Sequence, residues 1–332
     1  MMRAPAGLLL VLLPLAVAPG CAIESFRLDA QPRTTAELTP EVAARFDYLP
    51  LREAELERLA VDEPAARVWS GSLTVRLHDD PEPVPVQFEY WQARSVRKGA
   101  KAPAIVITPI LGGGRSLAVS HCRAFTEAGM HAVLVERGTK VLSKGWPVEE
   151  VERQLRRAVV GRRGIVDWLE RQPEVDPERL GAFGISMGGI LTSVLLATEP
   201  RLASGVIALA GGDVPGIISR SEEGRLVTWR ETKSRELGVD EAGVERLLRA
   251  ALSSDPAAMA PFVDPRRVLF VSTRWDDVVP SKNQVLLWEA LGRPQRYDLP
   301  AGHYSGIVFL PWVMNQAVRW LDKRFRFAGG AA

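Results

Sequence analysis

The chain alternates short, unbroken apolar runs with longer segments whose apolar residues recur at helical intervals. "APAIVITPIL", from Ala102, is a continuous apolar run of the kind a strand shows when both its faces are covered. "GGGRS" then turns into the helical "LAVSHCRAFTEAG", and "HAVLVER" is the next strand. "PVEEVERQLRRAVVGRRGIVDWLERQ" predicts a long amphipathic helix with Val151, Leu155, Val159, Val166 and Leu169 near one face. The alternation continues through the strand "ERLGAFGIS", the helix "MGGILTSVLLATE" and the strand "SGVIALAGG". It resumes with the strand "RRVLFVSTR", the helix "KNQVLLWEAL", the strand "PQRYDLP" and the helix "PWVMNQAVRWLDKRF". Such alternation predicts an α/β fold with a mostly parallel, doubly wound sheet.

Two regions depart from it. Upstream, "RVWSGSLTVRL" and "VPVQFEYWQAR" read as strands reversed by the turn-rich "HDDPEP". Between Asp213 and Val263 no strong strand occurs, and "DEAGVERLLRAAL" predicts a helix capped by Asp240, with Val244, Leu247, Leu248 and Ala251 on one side. A small helical cap over about 214–262 would roof the crevice at the carboxyl ends of the strands. The expected layout is therefore a signal at 1–20, an N-terminal tether or packing arm at 21–66, and the main domain at 67–326 with that cap inserted. Within the arm, "LREAELERLA" is expected to form a short helix.

Charge and composition narrow the function. The formal net charge is +2 with both signs interleaved, and no nucleic-acid-binding motif is present, so nucleic acid is not an expected partner. The N-terminus, "MMRAPAGLLLVLLPLAVAPGCAIES", places Arg3 before an apolar run of about a dozen residues and then small residues, the layout of an export signal. Ending in Ala18-Pro19-Gly20-Cys21, it resembles a bacterial lipoprotein signal, although Ala18 stands where that family prefers a larger aliphatic residue. The resemblance implies lipid modification of Cys21 and a membrane-anchored protein of the cell envelope. A plain signal would instead give a secreted or periplasmic one. The other cysteine, Cys122, leaves no pair for a disulfide and reads as a buried apolar residue. No histidine and cysteine spacing supports a metal site.

The candidate chemistry centres on Gly184-Ile185-Ser186-Met187-Gly188, a G-x-S-x-G string between a strand and a helix. That setting is what a nucleophile elbow requires, because the serine must stand at the tip of a sharp turn with no flanking Cβ in the way. A serine hydroxyl needs a base. Of the four histidines, His78 falls in a hairpin turn, His121 within a helix and His131 at the start of a strand. His303, in "LPAGHYSG", follows the last strand at the same sheet edge as Ser186 and suits general-base work.

"VLFVSTRWDDVVP" adds carboxylates at the end of a strand, and here the chain resembles the α/β-hydrolase superfamily. In that superfamily an acid after a strand is often followed four residues on by proline, and Asp276 with Pro280 matches. Asp277 and Asp213 are the alternatives. The order Ser186, Asp276, His303 is that of the superfamily. The resemblance implies one oxyanion donor from the Met187 backbone N–H. The second would come from "TPILGGG": Leu111, with Ile110 or Gly112 as alternatives, since Pro109-Ile110 replaces the family's His-Gly. It covers about Val68 to Phe325 and is nearest to dienelactone-hydrolase-like and peptidase-related esterases.

The expectation is a serine esterase acting on a small acyl substrate without metal or organic cofactor. Thioester or peptide cleavage on the same triad is the first alternative, and a non-catalytic binding lipoprotein on the same scaffold is the second. Met187, Trp275, Tyr304 and the cap's Trp229 suggest an apolar pocket. Oligomeric state is open.

Overall fold

The computed structural model describes residues 22–28, 32–61, 63–110, 115–136, 142–143 and 145–328. The expected signal at 1–20 and Cys21 lie outside them. Ten strands among the described residues form one sheet in the order β1-β10-β9-β8-β7-β5-β6-β4-β3-β2. Its parallel centre consists of β5 (Ala102–Thr108), β6 (His131–Val135), β7 (Val175–Ile185), β8 (Leu202–Ala208), β9 (Val268–Thr273) and β10 (Gln295–Leu299). The hairpin β3 (Ala66–Leu77) and β4 (Val84–Ala93) extends it antiparallel beyond β6.

Alternation along the central strands feeds two cores. Ile105 and Ile107 pack with α2 (Arg115–Glu127) and α10 (Leu310–Ala328) through Phe125, Leu321 and Phe325. Ala104 and Val106 face the opposite core, which holds α3 (Glu150–Glu170), α4 (Met187–Thr198) and α9 (Ser281–Ala290). Helices on both faces are what makes these strands continuous apolar runs. The five residues predicted for the apolar face of α3 are all buried.

The chain leaves β5 for β6 on one side and returns to β7 on the other. This reversal makes the carboxyl ends of β5 and β7 the crevice where ligands bind in open α/β sheets. Between β8 and β9 stand α5 (Val214–Arg220), α6 (Gly224–Leu237), α7 (Glu241–Ala251) and α8 (Pro256–Met259). Asp240 caps α7 through the Gly243 N–H. Val244 and Leu248 are buried, whereas Leu247 is exposed and does not belong to the packed face.

The N-terminal segment corrects the sequence expectation. "LREAELERLA" is not a helix: it lies mostly within β2 (Tyr48–Arg58), paired antiparallel to β3 with register shifts around Arg52. Leu51 and Leu56 are exposed on this edge strand. Pairing with the open edge of β3 outweighs the helical propensity of its Glu, Leu and Ala residues. α1 (Pro40–Ala44) is the short helix of this region, and β1 (Glu24–Phe26) pairs with β10 at the other end of the sheet. The segment thus packs on both edges of the sheet.

Candidate active site

Ser186 links β7 to α4 with φ 57° and ψ −124°. A non-glycine residue in this region carries strain of about 1–3 kcal/mol, which the surroundings must hold in place. Its N–H donates to Ala208 O at 2.8 Å, and its carbonyl accepts from Ile190 N at 3.0 Å. The flanking glycines have a steric reason: a Cβ on Gly184 would overlap the Gly188 carbonyl, and one on Gly188 would overlap the Thr108 carbonyl of β5. Met187 is the first residue of α4, where a backbone N–H has no acceptor within the helix.

Asp276 follows β9 and is almost fully buried. His303 Nδ1 lies 2.8 Å from Asp276 Oδ2. The same oxygen accepts from Thr273 Oγ1 at 2.9 Å and Gln284 Nε2 at 2.8 Å, while Oδ1 accepts from the N–H groups of Val278 (3.0 Å) and Val279 (2.8 Å). Pro280 stands ahead of α9, so the backbone at 278–279 turns its N–H groups onto the carboxylate rather than into a helix. With Nδ1 engaged by the carboxylate, Nε2 is left as the nitrogen that can take a proton.

Ser186 and His303 line one pocket at the switch point. Its walls are apolar: Ile110 after β5, Leu117 from α2, Ile217 and Leu226 from the cap, and Val278 and Ile307. Glu223 is the acidic lining residue among those described, and its Oε2 also caps α6 through the N–H groups of Arg225 and Leu226. Met187 and Tyr304 line the pocket as expected. Trp229 does not: it is buried in the main core with its indole N–H on Ser143 O at 3.3 Å. Trp275 is exposed and is not among the lining residues either. Leu111 and Gly112 fall outside the described residues, whereas Ile110 lines the pocket.

The remaining candidates lie elsewhere. Asp277 is exposed. Asp213 caps α5 and pairs with Arg220 at 3.0 Å and Arg249 at 2.7 Å. His78 lies 3.5 Å from Asp47, and His131 is buried with Nδ1 accepting from Ala93 N at 3.0 Å. Cys122 is fully buried, and burial pushes its thiol well above the usual range. Sequence reasoning missed Thr273, Gln284 and Glu223. Thr273 is detectable in principle as a hydroxyl three residues before the acid at a strand end, but Gln284 reaches Asp276 only through the packing of α9.

A strained serine at a strand-to-helix turn and an imidazole–carboxylate pair thus stand at one sheet edge of an α/β-hydrolase fold. Residues 121–300, more than half of the chain, match the prolyl oligopeptidase family (Peptidase S9), and the chain belongs to that family. Solved structures of the same fold include an acetyl xylan esterase from Paenibacillus sp. R4, with TM-score 0.67 and 14% identity over 84% of this chain and 91% of that one. Acetyl xylan esterase 1 from Thermoanaerobacterium sp. JW/SL YS485 has TM-score 0.59 and 16% identity over 81% and 88%. The chain spans less than half the length of the curated relatives it matches. One is the polyketide transferase ATR5 of Stachybotrys chlorohalonatus, 30% identical over 113 residues, which are 34% of this chain and 37% of that one.

Proposed function

We propose that the chain hydrolyses carboxylic esters of apolar compounds through an acyl-enzyme. The carrying observation is the 2.8 Å contact of His303 with Asp276 at a pocket that Ser186 and His303 share. Ser186 attacks the acyl carbon as His303 accepts its proton, and Asp276 fixes the imidazole and offsets its positive charge. The Met187 N–H supplies one donor to the oxyanion, and the loop after β5 the other, with Leu111 as the expected residue. His303 then protonates the leaving alkoxide and activates the water that releases the acid. The apolar walls favour an aliphatic or aromatic substrate over a sugar, whose hydroxyls would lose water without gaining partners. The family match supports a second reading, peptide cleavage on the same residues.

The same proposal includes export and a lipid tether on Cys21, on the strength of the N-terminal sequence alone. One labelling experiment on cell fractions tests both parts. A fluorophosphonate probe should mark the wild-type chain in the membrane fraction, and that band should incorporate an alkynyl fatty acid. Ser186→Ala should abolish the first label and Cys21→Ala the second. Persistent fluorophosphonate labelling of Ser186→Ala would overturn the nucleophile assignment, and unchanged acylation of Cys21→Ala the tether.

A further inference from the structure

Large apolar side chains face solvent on the His303 loop and at the exit of β9. Trp275 is 59% exposed, Tyr304 70%, Ile307 56% and Val308 76%. Tyr304, Ile307 and Val308 belong to the segment that follows His303, the Trp275 N–H ties the β9 exit to the same loop by donating to Ala301 O at 3.1 Å, and the Tyr304 ring stands edge-on to His303 at 5.5 Å. Tyr304 and Ile307 also line the pocket, so collar and pocket are continuous. A cluster of this kind on a folded surface marks an interaction site.

The N-terminal segment arrives at the same edge. β1 runs antiparallel to β10 and pairs Glu24 with Asp298, so the beginning of β1 lies at the carboxyl end of β10, where the His303 loop departs. Arg274, the residue before Trp275, donates to Ala22 O at 2.8 Å and pairs with Glu24 at 3.0 Å. The described chain therefore begins, at Ala22, on the sheet edge that carries the His303 loop.

We propose that a lipid bilayer covers this collar and that the pocket takes its ester substrate directly from the membrane. The inference rests on the ester-hydrolase reading above. Trp and Tyr favour the headgroup level, where one end of the ring is apolar and the other wet. Lipid anchoring strengthens with each added buried apolar contact, and the collar would also fix the orientation, mouth toward the bilayer. Water attacks the acyl-enzyme, and the apolar acid and alcohol return to the lipid phase.

The test mixes the full chain with phosphatidylcholine vesicles carrying brominated acyl chains, which quench tryptophan emission on contact. Wild-type emission should be quenched, and Trp275→Phe should remove about half of that quenching or more, although eight of the nine tryptophans remain (9 − 1 = 8). Val308→Asp should slow hydrolysis of a vesicle-dissolved long-chain aryl ester about tenfold or more, with a water-soluble short ester changed by less than about twofold. Equal quenching in wild type and Trp275→Phe, or none in either, overturns the proposal. So does a Val308→Asp variant that alters sedimentation instead of vesicle turnover, since a second copy would then cover the patch. A wild-type chain that is quenched but cannot hydrolyse the soluble ester counts against the ester-hydrolase reading alone.

Discussion

Asp276 and Asp213 both lie just beyond the carboxyl end of a central strand, β9 and β8, yet their surroundings are opposite. Asp276 is buried and held by neutral donors: a threonine hydroxyl, a glutamine amide and two backbone N–H groups, with His303 completing the set. Asp213 takes a left-handed backbone, caps α5 and meets two guanidinium groups. Neutral donors stabilise a carboxylate without cancelling its charge, so Asp276 can still respond to an imidazolium formed beside it. Asp213 has its charge offset already and serves to fix the entry to the cap. Asp255 closes the exit by accepting from the N–H groups of Asp213 (3.0 Å) and Val214 (2.6 Å).

The largest expected effect tests the first half of that contrast. Asp276→Asn keeps the shape but removes the charge and favours the wrong imidazole tautomer. The kcat for a soluble aryl ester should fall by about 10⁴, with the fold retained by circular dichroism. A fall of less than about tenfold would remove Asp276 from the proposed mechanism.

The histidines carry the same contrast from acid to base. His303 has a carboxylate on Nδ1, whereas among the described residues neither ring nitrogen of buried His121 has a hydrogen-bond partner, and its ring packs edge-on to Phe183 at 5.0 Å. Burial lowers the His121 pKa to about 4 from 6.5. The unfolded chain therefore holds more protons below pH 6.5, and stability falls with pH from 6.5 toward 4. The cost should reach about 2 kcal/mol at pH 5 and about 3 kcal/mol below the folded value. His121→Leu should flatten this dependence in chemical unfolding at pH 7.5 and pH 5, with little change at the higher pH. Equal losses of stability in the two proteins on acidification would contradict it.

The parallel core and the elbow were legible because their signals are local. Unbroken apolar runs mark β5 and β9, and glycines at 184 and 188 mark a close approach that the structure shows against the Gly188 and Thr108 carbonyls. β2 was illegible because an edge strand can be decided by its neighbour: its exposed Leu and Glu residues carry a helical preference that pairing with β3 overrides. Sequence order alone also left Asp276, Asp277 and Asp213 open. The distinction comes from side chains far apart in the chain, such as Gln284 on one carboxylate and Arg249 on another. Trp229 misled because an aromatic residue in a cap can fill the core as readily as a pocket.

The smallest expected effect tests the second half of the aspartate contrast. Asp213→Asn keeps an oxygen for the Gly216 N–H, which Asp213 Oδ1 now accepts at 3.1 Å. Asparagine also tolerates the left-handed backbone at φ 59°. What disappears is attraction to Arg220 and Arg249, whose side chains are partly exposed at 34% and 48%, so solvent already weakens both pairs. Stability should fall by about 1 kcal/mol, read as a lower thermal midpoint, and kcat should stay within about threefold. A kcat loss approaching that of Asp276→Asn would mean that the cap anchor, and not only the carboxylate under His303, governs the reacting geometry.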